Sequence, residues 1–505
     1  MDFFALPLWS SLLILIPLFL IFRSKKDAKK NLPPSPPKLP IIGNLHQLGS
    51  ELHHLSYTKM SHKYGPVMLL NLGKLKTVVI SSAEAAKEAF KVHDLACSSR
   101  PLLDGSGRLS YNYFDVAFAP YGEHWRNMRK LIILELFSLK RVQSFRPIRE
   151  YETGVLMEKL TEAAATSTPV ILTDMIFALI ANVTMKMSFG FEYRGSDFDK
   201  AQFHEVVHGT EAILGSYAYS ELIPVIGWLL DRIGGRHAKT EQVFRDLDKF
   251  FQHILDDHMK PGRERSHDDM IDVLLGIEKE QAAKGGQVEF TKVNIKGVLM
   301  NLFVGGVDTS AITLNWAMAE LMKNPRVMKK AQDEVRKVVG NKGRVTESEL
   351  SQLPYINMII KETFRKHPPV PLLIPRETIS DITLNGYKVP AKTMLQVNVW
   401  AIGRDPNNFK DPEEFYPERF EKSAIDYKGS HFELLPFGAG RRMCVGMHVG
   451  EMNIGTVLSN LVYGFDWKLP NGMSIEDLNM DEMDHVALTV TKKVPLQLVP
   501  VKWNP

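Results

Sequence analysis

The chain has 505 residues, 44% of them hydrophobic and 24% charged, which suits a globular protein with a large core. Its formal charge is only +4, of which residues 1–30 carry +3, so the remainder lacks the basic face of a nucleic-acid binder. Its two cysteines, Cys97 and Cys444, exclude a disulfide framework and fit a reducing compartment.

Phe3 to Phe22 contains no charged residue and spans roughly 30 Å as a helix, about one bilayer core. No small-residue cleavage site follows it, so a retained anchor is expected rather than a removable signal. The cations at Arg23, Lys25, Lys26, Lys29 and Lys30 predict that this flank and all that follows stay cytosolic. Between Pro33 and Pro40, closely spaced prolines predict a stiff, extended connector. The expected organisation is therefore an anchor over 1–22, a basic and proline-rich hinge over 23–44, and a single body over 45–505.

In that body, Val67 to Ile80 reads as two strands around Gly73, followed by a helix from about Ser82 to Val92. The longest helix is expected from about Val293 to Lys323, opened by Thr291 and stopped by Asn324-Pro325. Another runs from Pro354 to His367, before Pro368-Pro369. Strand-like segments recur at Ile382–Val389, Met394–Val399 and Val486–Val490. The fold class is mainly α with a minor β-sheet region. The N-x-T sequon at Asn182 is read as chance.

A lone cysteine is usually a small buried hydrophobe, and Cys97 is read so. Cys444 sits in Pro436-Phe437-Gly438-Ala439-Gly440-Arg441-Arg442-Met443-Cys444-Val445-Gly446. Glycines let a backbone turn tightly and approach a flat ligand, and such a loop aims N–H groups at a sulfur. Arg442 supplies a fixed charge suited to a carboxylate.

The five positions Phe437, Gly440, Arg442, Cys444 and Gly446 make F-x-x-G-x-R-x-C-x-G, which resembles the heme-binding signature of cytochromes P-450. The resemblance implies heme b (iron protoporphyrin IX) with Cys444 as axial ligand of the iron, a thiolate that favours O–O cleavage. Gly438 belongs to the same loop. In the long helix, Gly305-Gly306-Val307-Asp308-Thr309-Ser310 resembles the family's oxygen-binding groove. Thr309 and Asp308 are then the implied catalytic pair, Thr309 holding a water and Asp308 connecting it to solvent as a proton relay. On residue chemistry alone, the glycines equally suit close helix packing, with Asp308 solvated.

Glu362 and Arg365 match the family's E-x-x-R, and Arg419 in Pro417-Glu418-Arg419-Phe420 completes the implied buried network that holds the cysteine loop. Trp125 and Arg129 match its W-x-x-x-R, and these two with Arg376 are implied propionate contacts. The details look like the plant microsomal branch, except that Val445 stands where proline is usual and Lys366 where leucine is usual. Val445 is expected to relax the loop slightly, and Lys366 reads as a surface change.

By family position, the pocket draws on Leu102–Phe118, on Phe303 and Val304, on Val370–Ile374 with Leu372 and Leu373, and on the Asp484–Leu488 turn with Val486. Most are apolar, which points to a lipophilic terpenoid, phenolic or alkaloid skeleton placed by shape. The resemblance implies a monooxygenase on the cytosolic face of the endoplasmic reticulum membrane. NADPH electrons would arrive through the flavin of a separate cytochrome P-450 reductase, with cytochrome b5 as a second donor. Two alternatives keep the loop without this chemistry: a heme-thiolate isomerase or dehydratase needing no external electrons, and a non-enzymatic heme carrier. Retained Asp308 and Thr309 argue against both.

Overall fold

The computed structural model of the chain describes residues 31–49, 51–192, 200–263, 268–283 and 290–504. The apolar run Phe3–Phe22 and the cations that follow it, to Lys30, lie outside the described residues.

The helices that position the site are α1 (Glu123–Glu135), α2 (Leu172–Phe189), α3 (Lys200–Gly215), α4 (Lys292–Lys323), α5 (Pro354–Lys366) and α6 (Met447–Gly464). α4 starts where expected because Asn294 Oδ1 accepts from both the N–H and the hydroxyl of Thr291 at 2.9 Å. It ends at Asn324, where Pro325 opens the next helix. Its surface is apolar nearly all round, so it runs through the middle of the core with α2 and α6 packed against it. Both α2 and α4 have the length and hydropathy to cross a bilayer. Yet 72% of the apolar window of each is buried in protein, so they are core helices. Asn182 is buried on α2, which agrees with reading its sequon as chance.

The strands β1 (Val67–Leu72) and β2 (Leu75–Ile80) form the expected hairpin. β2 also pairs in parallel with β4 (Met394–Val397), from Thr77↔Met394 to Ile80↔Val397. β3 (Arg376–Glu377) pairs antiparallel with β4 and brings Arg376 to the inner edge of the sheet, whose order is β1-β2-β4-β3. The helix after β2 is capped by Ser82 and widens into a π-turn over Glu88–Val92. Among the described residues the fold is mainly helical with minor sheet.

Three strand expectations change in detail. Ile382–Val389 is a hairpin, Ile382–Leu384 with Tyr387–Val389, because Asn385-Gly386 supplies the two positive φ values of a tight turn. The strand from Met394 stops at Val397, since the Asn398 side chain caps a short helix, Val399–Ile402. Val486–Val490 is not a strand. Its amides bond elsewhere, Leu488 N–H to the Glu211 carbonyl and Val490 N–H to the Pro369 carbonyl, so no sheet neighbour remains for them.

The proline segment is extended, as expected, but it lies on the body. Leu69 N–H donates to the Pro34 carbonyl at 2.8 Å, and Lys388 N–H to that of Asn31 at 2.8 Å.

Candidate active site

The cysteine loop is held from several sides. Cys444 N–H donates to the Phe437 carbonyl at 3.0 Å, closing the loop on itself. The Phe437 ring meets Phe364 of α5 edge-on at 5.2 Å, and Tyr427 at 5.7 Å. Gly440 has φ +63°, and a Cβ there would lie 2.3 Å from Asp94 Oδ1, so no other residue fits. From α1, Arg129 Nη2 donates to the Met443 carbonyl at 2.7 Å. Burial pushes the Cys444 thiol up, while the Gly446 N–H and the Arg129 charge pull it back.

Glu362 explains the loop's support. It is fully buried, and its two oxygens accept from Arg365 at 2.7 and 2.8 Å. Arg419 Nε reaches Oε1 at 3.0 Å. The other guanidinium N–H groups bind carbonyls of residues 403–414, including Gly403, Pro412 and Lys410. α5 is thereby tied to residues 403–419, upstream of the cysteine loop.

A cavity of about 310 Å³ lies between this loop and α4. Cys444, Phe437, Gly438 and Gly446 line it from one side, and Val304, Gly305 and Thr309 from the other. The two adjacent glycines of α4 do different things. Gly306 meets α2, where the Thr184 hydroxyl donates to its carbonyl at 3.0 Å and an added Cβ would lie 2.7 Å from Thr184 Cγ2. Gly305 has open space where its Cβ would be. The close packing expected of the pair thus falls on Gly306 and the open space on Gly305, while Asp308 is buried rather than solvated.

Four guanidiniums line the cavity: Arg100, Arg129, Arg376 and Arg442. Arg442 spends three N–H groups on the carbonyls of Ser98, Val116 and Ala119. Arg376 Nη2 donates to the Ala439 carbonyl, but its Nη1 is buried with no hydrogen-bond partner among the described residues. Asp94, 3.7 Å from that nitrogen, already takes Arg441 at 2.5 Å. Burial, and then mutual repulsion, holds the Arg442 guanidinium down to about 9. The carboxylate that opposes it, Asp115, is itself pushed up to about 6 by burial. Asp94 and Asp115 are the carboxylates beside these four cations, and Asp94 is shared with Arg441.

Several predicted positions land elsewhere. Trp125 is not at the cavity wall: its indole N–H donates to the Val116 carbonyl at 3.1 Å, and its ring lies 4.1 Å under the Arg442 guanidinium. Phe303 points away into an aromatic cluster with Phe203, Phe250 and Phe251, because one residue along a helix turns the side chain from Val304's face. Leu372 packs against the sheet, while its neighbours Val370 and Leu373 reach the cavity. Val486 also lies off the wall, where Leu488 and Thr489 take its place. Leu102 is exposed, and only Val116 to Phe118 of that loop line the space.

Asp308 is buried, off the wall and away from solvent, with the Thr489 hydroxyl 2.8 Å from its Oδ2. The Thr309 hydroxyl donates to the Gly305 carbonyl at 2.9 Å, which leaves its lone pairs free to accept. The charged wall residues Arg100 and Glu211 had no expectation attached. Arg100, from Ser99-Arg100-Pro101, binds the carbonyls of Ala117, Ile374 and Pro375. Glu211 stands on α3 with Thr489 beside it. Lys366 is not a surface change, since it pairs with buried Glu320.

A mainly helical core around a cysteine loop, with a cation cluster at its rim, suits an enzyme that holds an anionic cofactor beside a cysteine. The Cytochrome P450 family model matches residues 33–498. Cytochrome P450 71B26 of Arabidopsis thaliana is 48% identical over 499 residues, 98% of this chain and 99% of the relative. Cytochrome P450 71B10 of the same plant is 49% identical over 500 residues, again 98% and 99%. A zebra fish cytochrome P450 solved with abiraterone superposes with a TM-score of 0.73 at 25% identity, covering 89% of this chain and all of that one. The chain belongs to the cytochrome P450 family, of the plant type, and its activity is that of a monooxygenase.

The family's cofactor is heme, and the residues present fit it. A flat ligand needs the glycine cradle at 438–446, a sulfur opening on the cavity, and anion-seeking cations at its edge, with the bare Arg376 Nη1 among them.

Proposed function

We propose that this chain inserts one oxygen atom from dioxygen into a lipophilic small molecule of specialised metabolism, using NADPH electrons passed on by a reductase. The observation that carries the reading is the Cys444 sulfur opening on a mostly apolar cavity whose opposite wall is Gly305–Thr309. When bound, heme would supply the redox chemistry that activates dioxygen, and Cys444 would hold it through its sulfur. Arg376, Arg442, Arg129 and Arg100 would take its carboxylates, with Trp125 stacked behind Arg442. Thr309 turns hydroxyl lone pairs toward the cavity and positions a water there, while Asp308, next to it on α4 and behind the wall, accepts from the Thr489 hydroxyl. Val304, Val370, Leu373 and Leu488 shape the space the substrate fills.

Residues 1–22 anchor the chain in the endoplasmic reticulum membrane, 23–44 form the hinge, and 45–505 make up the catalytic domain on the cytosolic face. An exposed apolar patch supports this. Leu39 and Ile41 are exposed in the hinge, and Val225, Trp228 and Ile233 are exposed in the body. The β1–β2 turn joins the two groups, Gly73 N–H bonding the Ile42 carbonyl and Lys74 N–H that of Leu222. Exposed Arg126 and Lys130 on α1, with Arg441 on the loop, offer cations to a reductase near Cys444.

The test is a reduced-plus-CO difference spectrum of membranes carrying the chain, beside Cys444→Ala. A Soret band at about 450 nm, the wavelength in the family's name, lost in the variant, is the expected result for thiolate ligation. A blue-shifted band in folded protein overturns it. Product formation that proceeds without NADPH and reductase overturns the electron route.

A further inference from the structure

Three polar groups meet at the α3 wall of an otherwise mostly apolar cavity. Glu211 is 2% exposed, lies one turn before the end of α3, and lines the cavity together with Thr489. The Thr489 hydroxyl lies 2.8 Å from Asp308 Oδ2 and 3.3 Å from Glu211 Oε2. The seat is rigid. Leu488 N–H donates to the Glu211 backbone carbonyl at 3.1 Å, and Gly215 meets Ala487 so closely that a Cβ would lie 2.1 Å from its carbonyl carbon.

The Thr489 hydroxyl proton can serve only one of the two carboxylates, and the Thr489 backbone N–H is the further donor directed at Glu211. Burial, and then the charge of Asp308, push Glu211 well above the usual carboxylate range, and burial raises Asp308 against the pull of Thr489 and exposed His208. A single extra proton satisfies the group. Glu211 Oε2–H donates to Thr489 Oγ1, whose own O–H donates to Asp308 Oδ2. Glu211 Oε1 is then a carbonyl-type acceptor, and that oxygen is buried with no hydrogen-bond partner among the described residues. An acceptor kept from water without a donor is a standing cost that a ligand's O–H relieves.

We infer that Glu211 is the substrate-anchoring residue of this cavity: its Oε1 accepts a hydrogen bond from a hydroxyl group on an otherwise lipophilic substrate. The enzyme is therefore built for alcohols or phenols over the matching ethers. This rests on reading the cavity as a lipophilic substrate site, and it adds the one polar feature that substrate carries. Glu211 selects and orients; it does not take part in the oxidation.

The experiment uses the heme-loaded full chain in membranes and paired probes, each a hydroxyl compound and its methyl ether: 4-phenylphenol with 4-methoxybiphenyl, α-terpineol with its methyl ether, and cedrol with its methyl ether. Affinity is read from the ligand-induced shift of the Soret band. In the wild type the hydroxyl member of a binding pair should be about tenfold tighter. Glu211→Leu should bring the two members within about twofold while keeping ether affinity and the CO spectrum. Glu211→Gln, which keeps an acceptor and donates to Thr489, should retain the preference. If Glu211→Leu lacks the CO band, Glu211→Met is read in its place. A wild type that binds ethers as tightly as alcohols, or a Glu211→Leu variant that keeps the gap, overturns the inference. Failure of both members of every pair to bind overturns the lipophilic reading beneath it.

Discussion

Lys366 Nζ stands 3.0 Å from Glu320 Oε1, an oxygen that also takes His367 Nε2 at 2.7 Å. Glu320 is on α4 and Lys366 ends α5, so the contact ties the helix at the cavity wall to the helix that supports the cysteine loop. Burial opposes the charge on Glu320, but His367 and Lys366 together hold its carboxyl down to about 2. Burial in turn keeps His367 below its ordinary value, which leaves Lys366 as the cation of the group at neutral pH.

Lys366→Leu should therefore destabilise the fold by about 2 kcal/mol, less than a fully buried pair because Lys366 is partly exposed. A depressed carboxylate adds stability that is complete above its unfolded value of roughly 4.5 and is lost as pH falls through about 2. The wild-type advantage should stay constant from neutral pH to the mid-4 range and shrink below it. Urea midpoints measured across that range decide the matter, and an advantage that grows on acidification contradicts the assignment.

The glycine pair of α4 separates stability from substrate fit. Gly306→Ala drives a methyl into Thr184 Cγ2 and should cost about 1–3 kcal/mol. Thr184→Ser removes that carbon, keeps the hydroxyl, and should restore most of the loss in the double variant. Gly305→Ala meets nothing and should raise stability by up to about 1 kcal/mol through helix propensity, while narrowing the cavity. Thermal midpoints and ligand-induced Soret shifts, read side by side, distinguish the two positions.

Arg100 should matter for cofactor retention. Arg100→Leu removes one of the four cavity cations and frees three carbonyls that it now satisfies. Heme should be held about tenfold less tightly, with Arg100→Lys in between because it keeps the charge but not the planar fork. The heme-to-protein ratio after gel filtration measures this directly. Equal ratios in all three proteins would remove Arg100 from the cofactor cluster.

Thr309→Ala should lower product formed per NADPH consumed by about tenfold, since the positioned hydroxyl is lost while a water can partly replace it. The cavity itself should be unchanged, so substrate-induced spectral affinity should stay close to wild type. Stoichiometry of NADPH, oxygen and product measured together is the check.

Local spacing made much of this legible. Glu362 and Arg365 share one helix, Cys444 and its glycines one loop, and Gly305 and Thr309 one helical turn, so short-range pattern placed them correctly. Segments with no helical period to fix a face went wrong by a residue or two, as Leu372 and Val486 show, and Phe303 missed by one step along a helix. Arg100 and Glu211 were not legible. Arg100 meets Ile374 across 274 residues, and Glu211 meets Thr489 across 278, contacts that only the tertiary fold creates. Lys366 was misread because its partner sits on another helix, where burial of Glu320 cannot be seen from either sequence neighbourhood.

The parallel pairing of β2 with β4 has a consequence in time. Thr77 finds Met394 only after the ribosome has made the chain between them, about 15–60 s at ordinary elongation rates. For that interval one edge of β2 has no strand to bond, while the cysteine loop, made later still, does not yet exist. The cofactor chamber is thus among the last parts of the molecule to be finished. The emerging chain must keep an open strand edge from pairing with its neighbours until its own C-terminal third arrives to cover it.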